Sequence, residues 1–511
     1  MAAAEHTWKP LKGAELVMAA FALTAANFIA VLDLTIANVS VANIAGSLGV
    51  SVSQGTWIIT SYAVAEAIIV PLTGWMAARF GSVRVFTSAV FLFGVTSALC
   101  GLSQTFELLV LFRILQGFCG GLIMPLAQVL LLRIFPKEQA NFAIGIWAMT
   151  TLVAPVLGPI VGGALCDNFG WPVIFLVNVP LALAITPLLI GLQKGPPEPT
   201  VKKRIDLVGL ALLVIFVGAL QLMLDLGKEH AWFESTLIVA LALIAVIGFI
   251  TFVIWELAEP DPIVDIRIFR HRGFAAGVLT LALGFGAIFS ANMLTPLWLQ
   301  TQMGYTSSWA GLATAWTGVL AVVLSPIVGQ SMARLDARYL IFAGLMLLAG
   351  ITAFRAGLTN DATYWHIAIP LLITGAGLPM VFVPLTAVTL AAVEPHETES
   401  AAGLQNFLRT LSAAVGASIV STTWEDKTTY AHAELAGLTG KGGGGAETFQ
   451  NVGMSPEQAT LALNQMVDAQ SAMIATNQVM TLIAFAFAIA AITICFSPRP
   501  ARQLDPAQTG H

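Results

Sequence analysis

Three charged side chains sit where charge is expensive. Asp33, Glu66 and Arg113 each fall inside an apolar stretch of membrane-helix length. Such a group costs about 2.5–3.5 kcal/mol on insertion scales, so it is usually turned inward and functional. A carboxyl stripped of water is suited to load and release a proton, and Asp33 reads as a proton- or cation-handling group. A hydrogen-bonded brace between helices is the alternative. Arg113 enters its stretch about as deep as Asp33 and needs an acidic or carbonyl partner, or a watery cavity. Whether Asp33 is that partner stays open at this level. Glu66 has Tyr62 at i−4 and Thr73 at i+7 on nearly one helical face. That polar stripe points to a central cavity, with Glu66 as a second proton site, an acidic contact for a cationic substrate, or a buried brace. Gln116, one turn beyond Arg113, joins Tyr62 and Glu66 as an expected cavity residue. A mostly apolar wall with one or two carboxylates suits amphipathic small molecules.

The elements that must position these groups follow from composition. The chain has 511 residues, 57% apolar and 10% charged, with a mean hydropathy of +0.84. A soluble chain carries about 25% charged residues, so the soluble, disordered and secreted-scaffold classes are excluded. A membrane helix needs about 20 apolar residues, and runs of that length recur along nearly the whole sequence. Spans are expected at 14–38, 55–77, 84–102, 107–131, 140–165, 172–192, 206–226, 235–256, 274–300, 309–331, 339–357, 364–391, 403–424 and 474–496. The protein is therefore expected to be an all-α polytopic membrane protein with 14 transmembrane helices. The runs are continuous and long, which argues against a β-barrel. No small-residue cleavage site follows the first run, so it reads as a retained span.

Fourteen spans put both termini on one side, and the basic residues say which. Of 23 Lys and Arg, 17 collect on the face that holds the N-terminus, 3 on the other, and Arg113, Arg355 and Arg409 fall in or at the edges of spans. The positive-inside rule makes the richer face cytoplasmic. A Pro-rich basic linker at 193–205 follows a first group of six spans over 14–192. Two further spans occupy 206–256, and a second group of six runs over 274–496, followed by a tail at 497–511. The long stretch 425–473 is expected outside, with a flexible Gly-rich run at 437–445 and a polar, helix-prone part from Pro456 to Gln470. It is either a tolerated insertion or a docking element.

An internal repeat supports the two groups. Pro71-x-x-Gly74-x-x-x-x-Arg79 and Pro326-x-x-Gly329-x-x-x-x-Arg334 share spacing, and each ends at a cytoplasmic boundary before a further basic residue, Arg84 or Arg338. Weak internal symmetry of this kind marks alternating-access carriers. Gly158-Pro159-x-x-Gly162-Gly163 gives one helix a missing backbone donor and places for a neighbour to approach, as a hinge or seal would. Gly117, Gly120 and Gly121 offer another close-contact surface, and ordinary packing is the alternative for both.

These motifs carry a resemblance. Gly74, Arg79, Gly81 and Arg84 resemble the loop signature of the major facilitator superfamily, with Ala78 where its acidic residue stands. Leu32-Asp33-Leu34-Thr35 and the residues after it resemble the signature of the superfamily's fourteen-span drug:proton antiporter branch. Arg113-Ile-Leu-Gln116-Gly117 is similar to the superfamily's intramembrane Arg motif, and Gly145 with Gly158–Gly163 to its antiporter motif, with Ala154 at a position where glycine is expected. The resemblance implies a major facilitator fold of two six-helix halves plus two inserted helices, with proton coupling through Asp33 and Arg113. It implies cytoplasmic gating loops around Gly74, Arg79, Gly81, Arg84, Gly329, Arg334 and Arg338. In multidrug exporters of Gram-negative bacteria that share the Gln54–Trp57 stretch and the long late loop, it implies a periplasmic membrane-fusion adaptor and an outer-membrane channel as partners.

The remaining signals are negative. The seven His and four Cys lack metal spacing, and 441–445 lacks the Lys-Ser/Thr ending of a phosphate loop. Nothing suggests nucleic acid or an enzyme. With no ATPase signal and no cofactor implied, the energy source is expected to be the proton gradient across the bacterial inner membrane. Export of hydrophobic or amphipathic compounds is the expected function, with a dedicated exporter of a lipid, siderophore or secondary metabolite, or a non-transporting receptor, as alternatives.

Overall fold

The computed structural model describes residues 10–192, 200, 205–228, 230–332, 334–359, 361–441, 450–451 and 454–496. In lipid every backbone N–H and C=O must be paired within the segment, and these apolar runs accordingly form helices. In chain order they are α1 (Gly13–Leu48), α2 (Trp57–Phe80), α3 (Ser82–Gly101), α4 (Phe106–Ile134), α5 (Ala140–Phe169), α6 (Pro172–Leu192) and α7 (Leu207–Leu226). They continue as α8 (Thr236–Ala258), α9 (Arg272–Thr301), α10 (Ser307–Ser331), α11 (Ala337–Arg355), α12 (Tyr364–Ala391), α13 (Thr398–Lys441) and α14 (Pro456–Thr493).

Among the described residues, thirteen helices are long and apolar enough to cross a membrane. The stretch expected over 403–424 is helical within α13, but Gln405, Asn406 and Arg409 make it too polar to qualify on composition. It packs inside the bundle nonetheless, against α9 and α14. Two boundaries differ from expectation. α1 runs ten residues past Asn38 to Leu48, where Gly49 (φ 68°) ends it in the left-handed conformation that glycine tolerates. The stretch 425–473 is not a loop for most of its length. α13 continues through Glu425–Lys441, a segment rich in Ala, Glu and Leu, and Ser455 with Gln458 forms a capping box that starts α14. The Gly-rich run thus begins inside a helix, and its 442–445 part lies outside the described residues, as do most of 193–205 and all of 497–511.

α1–α6 pack on one another, chiefly α1 on α5, α2 on α4, and α3 on α4 and α6. α9–α14 do likewise through α10 on α12, α11 on α12 and α14, and α9 on α13 and α14. The two bundles meet along α5 and α10, and where α13 crosses α2 and α4. α7 and α8 pair with each other, and α7 lies on α2. The outer end of α7 is tied to α13: the Ser418 hydroxyl donates to the Leu224 carbonyl at 3.0 Å, and Lys228 pairs with Glu425 at 3.0 Å. Lipid-facing helices show the expected inversion of a soluble protein, with Leu243, Val246, Ile247 and Ile250 of α8 exposed.

Candidate functional site

The site is built on the first turns of α2 and α4 and the outer half of α1. The Thr105 side chain accepts from the Leu108 N–H and starts α4, so Arg113 and Gln116 fall in its second and third turns. α2 lies against Gly117, Gly120 and Gly121 of α4, where any side chain would run into Tyr62, Glu66 or Ile69. That close approach brings the α2 backbone within reach of Arg113.

Asp33 and Arg113 meet. Both are sealed, at 1% and 0% exposure, and Arg113 Nη1 donates to Asp33 Oδ2 at 2.6 Å. The other carboxylate oxygen accepts from Gln116 Nε2 at 3.2 Å and from Asn178 Nδ2 at 2.7 Å. Arg113 Nε donates to the Ile58 carbonyl of α2 at 3.1 Å, and its Nη1 also reaches Gln116 Oε1 at 3.0 Å. Ser97 of α3 completes the set, accepting from Gln116 and Asn178 at 3.1 Å each while donating to the Phe175 carbonyl at 2.8 Å. The guanidinium lies over the Tyr62 ring, 4.4 Å from its centroid, and near Phe175 at 5.3 Å. One carboxylate thus holds α1, α4 and α6 together, and through Arg113 it holds α2. Arg113 Nη2 has no acceptor among the described residues, so the pair depends on the bonds just named, and loss of one partner strands the other charge.

The expected stripe on α2 divides. Tyr62 belongs to the Asp33–Arg113 cluster. Glu66 is 4% exposed and takes no part in the Asp33–Arg113 hydrogen bonds. Thr73 is spent elsewhere: its hydroxyl donates to the Val70 carbonyl at 2.6 Å, below the crossing of α2 and α13 near Gly403.

Arg409 sits between the bundles at 4% exposure. Its guanidinium is 5.1 Å from the Phe285 ring, 5.7 Å from Phe382 and 5.9 Å from Trp147, and it touches Met124 of α4. Trp147 and Phe382 stack at 5.4 Å across the bundle interface. Arg409 Nη1 has no acceptor among the described residues. Close by, Asn406 donates to Gln128 Oε1 at 3.0 Å, again from one bundle to the other.

The expected hinge is continuous helix through Pro159. Gly158 lies hard against Thr35 of α1, whereas Gly163 has open space where a side chain would go, so close approach is not what Gly163 provides. Gly162 is buried in the same helix. At the basic end, Gly74 lies against the Ser400 backbone of α13, and Gly329 against the Asn141 backbone of α5. Gly81 closes α2 with φ 89°, and Arg79 lies near the Trp75 and Phe80 rings. Arg84 and Arg334 are exposed, and Arg338 is half-buried. Ser82 and Arg133 both bind Glu399 at the start of α13, which supplies a carboxylate where Ala78 has none.

Sequence reasoning missed Asn178, Ser97 and the aromatic box. Asn178 carried a usable signal, as a strongly polar side chain in an apolar stretch. Trp147, Phe285 and Phe382 carried none, because aromatic residues are ordinary in membrane helices.

Comparison with known proteins agrees with this architecture. The family model described as Major Facilitator Superfamily matches residues 23–417. The chain is 40% identical over 501 residues to the multidrug export protein EmrB of Escherichia coli strain K12, covering 96% of this chain and 97% of that one. It is 41% identical over 476 residues to the fatty acid resistance protein FarB of Neisseria gonorrhoeae, covering 92% and 94%. Among solved structures, a bacterial homolog of the human lysosomal transporter Spinster, inward-facing and occupied, aligns with a TM-score of 0.57 at 16% identity, covering 95% of this chain and 97% of that one. The POT family transporter PepTSo aligns at 0.58 with 15% identity, covering 96% and 100%, and both are likenesses of fold alone.

Proposed function

The chain belongs to the Major Facilitator Superfamily, and on that premise we propose that it exports hydrophobic or amphipathic toxic compounds across the bacterial inner membrane in exchange for protons. The observation that carries the reading is the buried Asp33–Arg113 pair, tied to four helices. With Asp33 ionised, Arg113 is held and α1, α2, α4 and α6 are locked together. A proton arriving from the outer side neutralises Asp33 and leaves Arg113 without its counter-charge. Breaking such a pair by removing one partner costs about 3–5 kcal/mol, enough to shift a two-state equilibrium by more than a hundredfold. The α1–α6 and α9–α14 bundles are the two bodies that rock, and in this structure Gly74 on Ser400 and Gly329 on Asn141 hold the basic end shut.

The substrate cavity lies between the bundles, with Glu66, Arg409 and the Trp147–Phe285–Phe382 box as its polar and aromatic contacts. A narrower reading is favoured by Arg409. Its unpartnered Nη1 suits an acidic head group, with an apolar tail on the aromatic faces, and one relative is named for fatty acid resistance. A periplasmic membrane-fusion adaptor and an outer-membrane channel are the proposed partners. Support comes from α13 and α14, whose 44 and 38 residues correspond to about 66 and 57 Å against a core of roughly 30 Å.

The test is proton movement in everted vesicles on adding candidate drugs or fatty acids. Antiport predicts substrate-dependent proton release from the acidified lumen. Absence of any such flux across a panel that the cell demonstrably exports would overturn the proposal.

A further inference from the structure

A second pair of carboxyl groups lies far from Asp33, at the basic end of the inserted helices. Asp206 caps α7, its Oδ1 accepting from Val208 N–H at 3.1 Å and Gly209 N–H at 2.9 Å. Its Oδ2 accepts from the Trp255 indole N–H at 2.8 Å. Glu256, the next residue on α8, is 0% exposed. Its Oε2 accepts from the Val264 N–H at 3.3 Å, and its Oε1 has no partner among the described residues. Asp206 Oδ2 and Glu256 Oε1 converge on Gly209, both nearer to where its Cβ would stand than any real Cβ could approach. Only glycine leaves room for both oxygens at this point.

We propose that Asp206 and Glu256 form a second proton-binding site, with one proton held between Asp206 Oδ2 and Glu256 Oε1. Glu256 is sealed and Asp206 is half-buried, so two ionised carboxylates here repel each other unless a counter-charge intervenes, and among the described residues no basic group supplies one. From α7 the facing charge is Asp206 itself, and from the 263–268 turn it is Asp265, also acidic. Arg267 spends its guanidinium on the Leu257 and Glu259 carbonyls at 3.1 and 2.6 Å, and Arg270 and His271 are engaged by Glu397. A metal ion needs six or more oxygen ligands in the case of calcium, whereas a proton needs two, which is the number that converge here. With the proton in place, Glu256 donates to Asp206 and the unpaired oxygen is satisfied.

The site has a structural consequence. It fastens the end of α8 and the 263–268 turn to the start of α7. Pro260, Pro262, Ile263 and Asp265 of that segment line one wall of a cavity of ≈ 150 Å³ whose opposite wall includes Gly74 and Ser400. Loss of the proton sets two negative charges against each other and loosens that wall.

Infrared spectroscopy and hydrogen exchange on the full-length protein in nanodiscs test this without any transport assay. At neutral pH the wild type shows a protonated-carboxyl C=O band that disappears in E256Q and persists in E66Q. Exchange protection of the Val264 region, corrected for intrinsic rates, falls on the order of tenfold per pH unit once the proton is lost. E256Q, whose amide donates permanently, gives a flat profile. An unchanged band in E256Q overturns the proposal, as does an E256Q exchange slope equal to that of the wild type. Restoration of protection at high pH by sodium or calcium would also overturn it, in favour of a bound cation. If E256Q is poorly folded, D206N provides the same band test from the other partner.

Discussion

Gly74 of α2 and Ser400 of α13 touch backbone to backbone, and Gly329 of α10 and Asn141 of α5 repeat that contact on the opposite side of the same end. Each glycine comes from one copy of the internal repeat, and each lies on a helix of the other bundle. The repeat is therefore a pair of contact points between bundles. Bulk at either one, as in G74V or G329V, should hold the basic end open. Transport should fall by at least tenfold, and a cysteine placed at Ser400 should become more reactive to a membrane-impermeant thiol reagent from the cytoplasmic side. Unchanged reactivity would contradict this reading.

Asp33→Asn should abolish drug-dependent proton flux while the protein still inserts. It strands the Arg113 guanidinium, so thermal stability in detergent should also fall, by about 3–5 kcal/mol if no water reaches the site. An R113M/D33N double variant should recover stability but not flux. Recovery of both would assign the pair a bracing role only.

Asn178 donates to the same carboxylate oxygen as Gln116. Asn178→Leu removes one donor from an ionised carboxylate, a loss of about 1.5–3 kcal/mol to the charged form. Thermal stability in detergent should fall by that amount, and substrate-dependent proton flux should drop with it. Unchanged stability and flux would show that Asn178 is only packing.

Arg409→Met should change selectivity more than total activity. Export of acidic amphipaths should drop about tenfold or more, as for a buried charge-assisted hydrogen bond, with neutral drugs less affected. Competition between a fatty acid and a neutral dye in the same vesicles measures the split. Equal loss for both would deny Arg409 a role in selectivity.

Glu397 lies outside the bundle, between α12 and α13, and binds Arg270 at 2.8 Å and His271 at 2.9 Å. Burial alone would raise its pKa, but the Glu394 N–H, His271 and Arg270 together hold it below the ordinary 4.5. A carboxyl with a lowered folded-state pKa stabilises the fold above its unfolded pKa, and that contribution is lost as pH falls through the folded value. The stability gap between wild type and E397Q should thus be constant from neutral pH down to about 4.5 and close below it. Thermal melts across that range provide the check.

The helices and the Asp33–Arg113 pair were legible because lipid makes apolar length and misplaced charge informative in one dimension. Whether the pair closes was not legible, since it depends on how near Gly117, Gly120 and Gly121 let α2 come to α4. Thr73 shows the limit of helical spacing: it shares a face with Glu66, yet the 3-10 turn at Val70–Leu72 turns its hydroxyl back on its own helix. The stretch 425–473 is legible only in part: the helix-prone Pro456–Gln470 is helical in α14, whereas the helix through Glu425–Lys441 continues one that lipid has already started and carries no apolar signal of its own. The setting of Arg409 was not legible, because its counterparts are aromatic faces, which carry no charge pattern to notice.

α13 is one uninterrupted helix from Arg409, inside the bundle interface, to Lys441 beyond it. At 1.5 Å per residue that is an arm of about 48 Å. α14 runs beside it, and His432 and Asp468 join the two at 3.1 Å. A tilt of about 5° pivoting at Arg409 would sweep the far tip by roughly 4 Å. The length of α13 would thus turn a small rotation at the proposed substrate contact into a displacement of several ångströms at its far end.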